Sequence, residues 1–442
     1  MGFGFAGIAV TNYTVTELQG ILRMNKVLMG IIASGAILSS SHAVAAAFQL
    51  AEQNVSGLGR AYAGEAAVAD DASVVARNPA LMSKLEGTQV SAALMYVQPD
   101  VSLTGTSTNN GVPAAALNDN SIAPSAVIPA VYATHKYDDK WSIGVGSYSQ
   151  FGLSTEFDED YVAGQIAGQT EIVTINTGIS ASYQVDEQWS VAFGVNHVYA
   201  DAKIVRNLGA TNTPLPASTD AVYLEGDDQG FGWNLGVAYQ IDDANRLGFH
   251  YRSETDITFE GSFSNQLPAA LGGLAGQSLP GSVDITLPAI AEISGSHQLN
   301  QQTNLHYSVL WTGWNSFDEL AAEVGGAGTV FTKEENFSNS LRFAVGGDYQ
   351  LSESVKLRAG LAYDESPADQ DHLSISIPDT DRTWYSFGAE YTMANQATLD
   401  VGVSVLRGKT QHFVEQDKSG SEWGFRSKGH ATIFGVQYNH QF

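Results

Sequence analysis

The chain has 442 residues, with 21 Lys plus Arg against 47 Asp plus Glu, a formal charge of −26. That charge repels phosphate and argues against nucleic-acid binding, and 0 cysteines exclude disulfides and thiolate metal sites. Hydrophobic residues make up 43% and aromatics 10%, too apolar for disorder, while charged residues are only 15% against the roughly 25% usual in soluble chains.

Residues 1–45 read as a processed leader. From Met24 the chain runs MNKVLMGIIASGAILSSSHAVA, with a positive start at Lys26. Val27 to Leu38 is an apolar run of 12 residues, too short to span a bilayer, and Ala43-Val44-Ala45 is an A-x-A cleavage pattern. Translation is expected to begin at Met24 and cleavage to follow Ala45, so the protein is exported across the inner membrane. No later stretch approaches about 18 continuous apolar residues, and the choice narrows to a soluble exported protein or an outer-membrane β-barrel.

Residues 46–86 lack strand alternation and are rich in small side chains. The segment is too short to build a core of its own. Phe48, Leu50, Leu58, Tyr62, Val68 and Leu81 favour burial, so it is expected to fold inside a barrel as a plug, not to trail as a tail.

Residues 87–442 alternate with period two. Val355, Leu357, Ala359, Leu361 and Tyr363 oppose Lys356, Arg358, Gly360 and Asp364; Phe434, Val436, Tyr438 and the terminal Phe442 share the apolar face of the last strand. Short polar turns occur at Tyr137–Lys140, Asp186–Gln188, Asp242–Asn245, Leu299–Gln302, Leu351–Ser354 and Ala394–Gln396. Between them lie long connections near 98–125, 156–170, 207–230, 261–281, 317–338, 365–382 and 408–427. Strict alternation of 6 short turns with 7 long loops predicts an all-β, 14-stranded antiparallel transmembrane barrel over residues 87–442, with short turns on the periplasmic rim. Tyr137, Trp141, Tyr183, Trp189 and Tyr349 beside the short turns would form the interfacial girdle.

Several stretches carry a family resemblance: FQLAEQNVSGLGRAYAGEAAVADDASVVARNPAL (48–81), SQFGLSTEF (149–157), YADAKIVR (199–206), GFGWNLGVAYQ (230–240), YRSETDITFEG (251–261), SISIPDTDRTW (374–384) and DVGVSV (400–405). The chain resembles the FadL/TodX family of outer-membrane transporters for long-chain fatty acids and other hydrophobic compounds, and the likeness runs from the mature N-terminus to Phe442. It implies a 14-stranded barrel with an N-terminal hatch, and uptake by ligand-gated diffusion with lateral release at a kinked third strand.

The resemblance also implies site residues. Arg206 and Lys333 would bind a ligand carboxylate, the first as a fork and the second as a point charge. Phe48 at the hatch tip would touch the ligand, and Asn78-Pro79-Ala80 is the hatch motif. The lateral opening would lie at Phe151 and Gly152, where Ser147 and Ser149 fall on the lipid side of the third strand and glycine permits a bend. Asp364 is a lumen acid, with Arg77 as a candidate partner. No cofactor and no metal is called for, and no enzyme is expected: there is no G-x-S-x-G elbow, and His197, His250 and His306 sit in different strands. The expected partners are a hydrophobic ligand, outer-membrane lipid and the barrel-assembly machinery through Phe442; a monomer is expected. Uptake of aromatic hydrocarbons by the same route is the alternative, and a general porin or an outer-membrane hydrolase are remoter ones.

Overall fold

The structure is a computed structural model that describes residues 47–211, 213–326 and 328–442. The leader, with its start at Met24 and cleavage after Ala45, lies outside the described residues.

A single antiparallel sheet of 20 strand segments closes on itself. Closure comes from the first strand, Thr88–Thr108, which pairs with the second, Ala126–Lys136, on one edge and with the last, Glu422–Gln441, on the other. Several segments are halves of one interrupted strand, as in the third (Trp141–Tyr148 and Gly152–Glu156) and the seventh (Asn245–Arg252 and Thr255–Ser264). Counted as continuous staves, the segments make 14 barrel strands. All 6 predicted short turns fall between consecutive strands.

The far ends of the strands depart from the sequence reading. Residues 98–108, 220–230, 319–324 and 411–416, assigned above to loops, continue the ladder. Beyond the hydrocarbon a strand no longer needs an apolar outer face. Its backbone still pairs while its side chains lose the alternation that marks a membrane stave.

Within the membrane zone the alternation is plain. In the fifth strand, Trp189–Asn207, Trp189, Val191, Phe193 and Val195 point outward and are exposed, while Ser190, Ala192, Gly194 and Asn196 point inward and are buried. Around the barrel Ile143, Phe193, Phe231 and Phe387 are 51%, 53%, 70% and 62% exposed, an apolar belt that only lipid can cover. Near the short turns Trp141 packs on Tyr183 at 4.8 Å and Trp189 stacks on Tyr239 at 4.4 Å. At the C-terminus the Phe442 N–H donates to the Thr88 carbonyl at 2.8 Å, and its ring faces outward.

Residues 47–86 form no barrel strand. They hold two short helices, Val55–Leu58 and Val74–Arg77, and a 3-10 turn, Pro79–Lys84, nearly all buried. Their contacts reach inward-facing residues around the wall. The Asn54 carboxamide caps the first helix through the Gly57 N–H, and the Gln437 side chain accepts from the Val55 N–H at 2.7 Å. The Ser294 hydroxyl accepts from the Ala66 N–H, and the Asn78 carboxamide donates to the Val237 carbonyl.

Lumen glycines make this approach possible. A Cβ on Gly360 would lie 2.1 Å from the Arg60 carbonyl oxygen, and one on Gly248 would lie 1.7 Å from that of Ala66. The backbone of the inner segment therefore lies directly on the backbone of the wall. Gly248→Val should overpack this contact at a cost of about 1–3 kcal/mol, lower the unfolding midpoint and let small sugars through in a liposome swelling assay. Gly429→Ala, whose Cβ would meet only Val101 at 3.9 Å, should change neither.

Candidate ligand-binding site

Arg206 and Lys333 are brought together far from the short turns. Arg206 is the penultimate residue of the fifth strand, and Lys333 lies in the hairpin arm Gly328–Glu334. Both line a cavity of about 670 Å³, with Ile166, Phe331, Leu373 and Glu415 among its walls. That volume falls within the ~300–1,000 Å³ of small-molecule sites.

The guanidinium of Arg206 is buried and donates to the carbonyls of Gln169 and Val205 and to the hydroxyls of Thr170 and Ser376, at 2.7 to 3.0 Å. All four acceptors are neutral. The Lys333 ammonium donates to the Ser374 hydroxyl at 2.7 Å and to the Glu415 carboxylate at 2.5 Å. Glu415 is itself held by the Ile375 N–H at 3.0 Å. The Ser374-Ile375-Ser376 stretch thus spans both cations, and Ser376 is anchored to the Ile166 carbonyl at 2.8 Å. The charged groups of the site come from three separate strand ends, Arg206, Lys333 and Glu415, tied together by the 374–376 loop.

Glu335, between the strand halves Gly328–Glu334 and Ser340–Ser352, is 1% exposed and neither carboxyl oxygen has a hydrogen-bond partner. Burial pushes its carboxyl up to about 7 despite the nearby Lys333, with Glu415 adding to the rise and Arg206 opposing it.

An apolar tract leads away from the cations. Phe331 on the cavity wall belongs to one contiguous cluster with Ile204, Phe337, Trp314, Phe48 and Phe151. Phe48 is 2% exposed, and its ring lies 4.6 Å from Trp314, 5.1 Å from Phe317 and 5.9 Å from Phe151. The segment carrying Phe48 also pairs with the wall: Gln49 bridges Phe151, the Gly152 N–H donates to the Phe48 carbonyl, and the Leu50 N–H donates to that of Gln150, both at 2.8 Å.

The third strand breaks at Ser149–Phe151, immediately before Gly152. Its ladder with the second strand ends at Val131 opposite Ser147, and contact resumes where the Glu156 N–H donates to the Ile122 carbonyl at 2.9 Å. Between those points the third strand turns inward to the Phe48 segment. Gly152 is not in the left-handed region; its lack of a side chain instead admits Leu50, whose Cδ1 would lie 3.1 Å from a Cβ there.

Asn78 is fully buried, and its carboxamide donates to Ala66 and Val237 carbonyls at 2.7 and 3.0 Å while accepting from the Ala80 N–H at 3.1 Å. Pro79 opens the following 3-10 turn. Asp364 faces the lumen, but its partner is not Arg77. It sits 3.4 Å from Arg382, whereas Arg77 lies against Glu65 at 3.5 Å and donates to the Ala51 carbonyl at 2.6 Å. Glu65 stands closer in the same compact segment, so Arg77 is used up before it reaches the wall. Among the described residues no group of His, Asp and Glu gathers as a metal site.

Sequence reasoning missed Glu415, Glu335, the serines at 374 and 376, and Trp314. The signal was present in part: Phe317 and Phe337 are aromatics in a stretch read as an outer loop, where exposure to water would be unfavourable, and Trp314 lies just before it.

The family model for outer membrane protein transport proteins (OMPP1/FadL/TodX) matches residues 36–442. The 47 kDa outer membrane protein of Pasteurella multocida is 40% identical over 95% of this chain and 100% of its own length. A long-chain fatty acid transport protein of Escherichia coli O6:H1 is 38% identical over 93% and 98%. A Pseudomonas aeruginosa FadL homologue shares the fold, with a TM-score of 0.81 at 22% identity over 89% of this chain and 99% of that one. The Ralstonia pickettii toluene transporter TbuX does so with a TM-score of 0.64 at 16% identity over 88% and 100%. The chain belongs to the OMPP1/FadL/TodX family of outer-membrane β-barrel transport proteins, a family of transporters and not of enzymes.

Proposed function

We propose that this protein takes up long-chain fatty acids by ligand-gated diffusion through a plugged barrel. The observation that carries this reading is the pair of buried or half-buried cations, Arg206 and Lys333, on one cavity whose apolar wall runs on to Phe48. An acid head group offers the guanidinium a charged acceptor in place of neutral ones, and charge-assisted bonds are roughly twice as strong as neutral ones. The acyl chain lies along Phe331 and the aromatic tract. When its end reaches Phe48, the rings that hold Phe48 exchange one apolar partner for another at little cost, and the 47–51 tip withdraws from Phe151. The break in the third strand then opens sideways, and the ligand leaves into the membrane without crossing the whole lumen. The likeness to the E. coli long-chain fatty acid transport protein supports the same ligand class.

Aromatic hydrocarbons are the second reading, favoured by the fold shared with a toluene transporter; a neutral ring has no use for Arg206 and Lys333. A general porin sits poorly with the buried 47–86 segment, which acts as the hatch. The protein works as a monomer, and its exposed terminal Phe442 is the handle for the barrel-assembly machinery.

Replacing Arg206 and Lys333 together with Ala should weaken oleate binding by about tenfold or more, the worth of a charge-assisted hydrogen bond; isothermal titration on the purified barrel would reveal unchanged affinity if the pocket is wrongly assigned. A deletion strain should lose growth on oleate while keeping growth on an aromatic hydrocarbon; the reverse pattern would favour the second reading.

The carboxyl of Glu335 adds a pH dependence. Above about 7 it is a carboxylate beside the arriving head group, and below that it is neutral. Oleate affinity should therefore rise as pH falls through that value. Each unit by which bound ligand raises this pKa contributes about tenfold between the two limits. Glu335→Gln should flatten the profile; a profile of the same steepness in that variant would assign the effect elsewhere.

A further inference from the structure

A second buried guanidinium stands at the break of the third strand. Arg252 ends the first half of the seventh strand and is 5% exposed. One terminal nitrogen donates to the Ala76 carbonyl at 3.1 Å and to the Tyr148 hydroxyl at 2.5 Å. The other, Nη1, is buried without a hydrogen-bond partner, and among the described residues Arg252 is in no ion pair within 4.0 Å. A buried cation without a counter-charge is costly. Arg342, in the strand Ser340–Ser352, is likewise in no ion pair within 4.0 Å among the described residues, but it faces Asp364 across the ladder and is covered by the Trp384 and Tyr62 rings. Arg252 has the ring of Tyr148 beside it, 5.5 Å away, as its aromatic cover among the described residues.

Arg252 lines a small void with Phe151, Asn176, Asn196, Ser253 and Thr255. Asn196 Nδ2 and Asn176 Oδ1 are likewise buried and unpartnered. Two residues with an unpartnered donor, one of them charged, thus line a space of about 10 Å³, room for one water at most, which takes a carboxylate only once Phe151 moves aside. Its roof is Phe151, the residue whose ring meets Phe48 at 5.9 Å. Phe151 is thus common to the wall of the void and to the ring contact that holds Phe48 at the strand break.

We infer that Arg252, with Asn196, forms a second carboxylate site that receives the ligand's head group at the third-strand opening after it leaves Arg206 and Lys333. The inference rests on the fatty-acid reading above and adds a residue to it. An acid drawn from a charged upper pocket into an apolar tract would have to strip its carboxylate of partners. Arg252 Nη1 supplies a charged donor at the point where Phe151 moves aside, so the head group is never buried alone. A neutral hydrophobe gains nothing from the site.

The test compares transit of oleate with transit of oleyl alcohol through the reconstituted full-length protein. Arg252→Met should slow oleate by about tenfold, the worth of one charge-assisted hydrogen bond, leave oleyl alcohol unchanged, and keep equilibrium oleate binding at the upper pocket. Arg252→Lys should restore part of the loss. Because Arg252 also holds Ala76 and Tyr148, Asn196→Leu, which removes a donor without touching those bonds, should show the same selectivity for the acid. Equal transit of oleate in all variants, or equal slowing of acid and alcohol, would overturn the inference. The two sites fail separately: unchanged binding after loss of Arg206 and Lys333 counts against the upper pocket, and unchanged acid transit in R252M counts against this one.

Discussion

In hydrocarbon a strand's backbone groups have no water to bond, so each must be paired inside the protein. Around most of this barrel the neighbouring strand does that. Between the second and third strands it does not, from Val131 and Ser147 up to Ile122 and Glu156. There the partners come from the inner segment: the Phe48 carbonyl accepts from the Gly152 N–H and the Leu50 N–H donates to the Gln150 carbonyl, while the Phe151 N–H donates to the Thr174 hydroxyl of the strand on its other side. The tip of the inner segment stands in for a missing stretch of wall. The gap in the ladder and the docked tip are therefore one structural fact, and neither can change without leaving polar backbone unpaired.

The lumen is built on the opposite principle from the outer face. Glycines at 248, 346, 360 and 388 bring the inner segment's backbone onto the wall, and charge locks it there. Arg358 reaches Asp400 and Glu390 on neighbouring strands and Asp70 of the inner segment, while Arg60 holds both Glu65 and Asp70. Such buried networks add little net stability over apolar packing, but removing one member leaves an uncompensated charge. Their value here is position: residues 56–71 have one seat, because only one arrangement satisfies every charge.

The staves were legible because lipid demands a strict period of two, and each short turn is polar and brief. The strand extensions above the membrane were not, since water on both faces removes the demand for alternation. The meeting of Arg206 and Lys333 was legible only through family likeness; they are 127 positions apart on different arms, and no local pattern joins them. Pairings such as Asp364 with Arg382 and Arg77 with Glu65 depend on how the inner segment turns, which its small residues leave undetermined. Pro129, which has no N–H to donate, falls in the second strand where the third has turned away. A proline in a stave marks an unpaired sheet edge, and in a closed barrel such an edge is a gap in the ladder, so that residue carried more information than its strand assignment used.

Strength of attachment is uneven along the inner segment, and this decides which part yields. Residues 54–83 are held by buried ion pairs, by the Asn78 bonds to Ala66 and Val237, and by backbone-to-backbone contact at the glycines. Residues 47–51 are held by two backbone bonds to the third strand, by the Gln49 side chain accepting from the Thr312 hydroxyl at 2.7 Å, by the Arg77 guanidinium donating to the Ala51 carbonyl at the tip's inner end, and by the Phe48 ring stack. Ring stacking is the one of these that an acyl chain can replace in kind, since dispersion and apolar burial do not distinguish a phenyl partner from a methylene one. Charged pairs admit no such exchange with a hydrocarbon. In the proposed function, a hydrophobic ligand therefore has leverage on Phe48 and none on Arg60 or Arg358, so the opening proposed above would be confined to the tip while residues 54–83 stay in place.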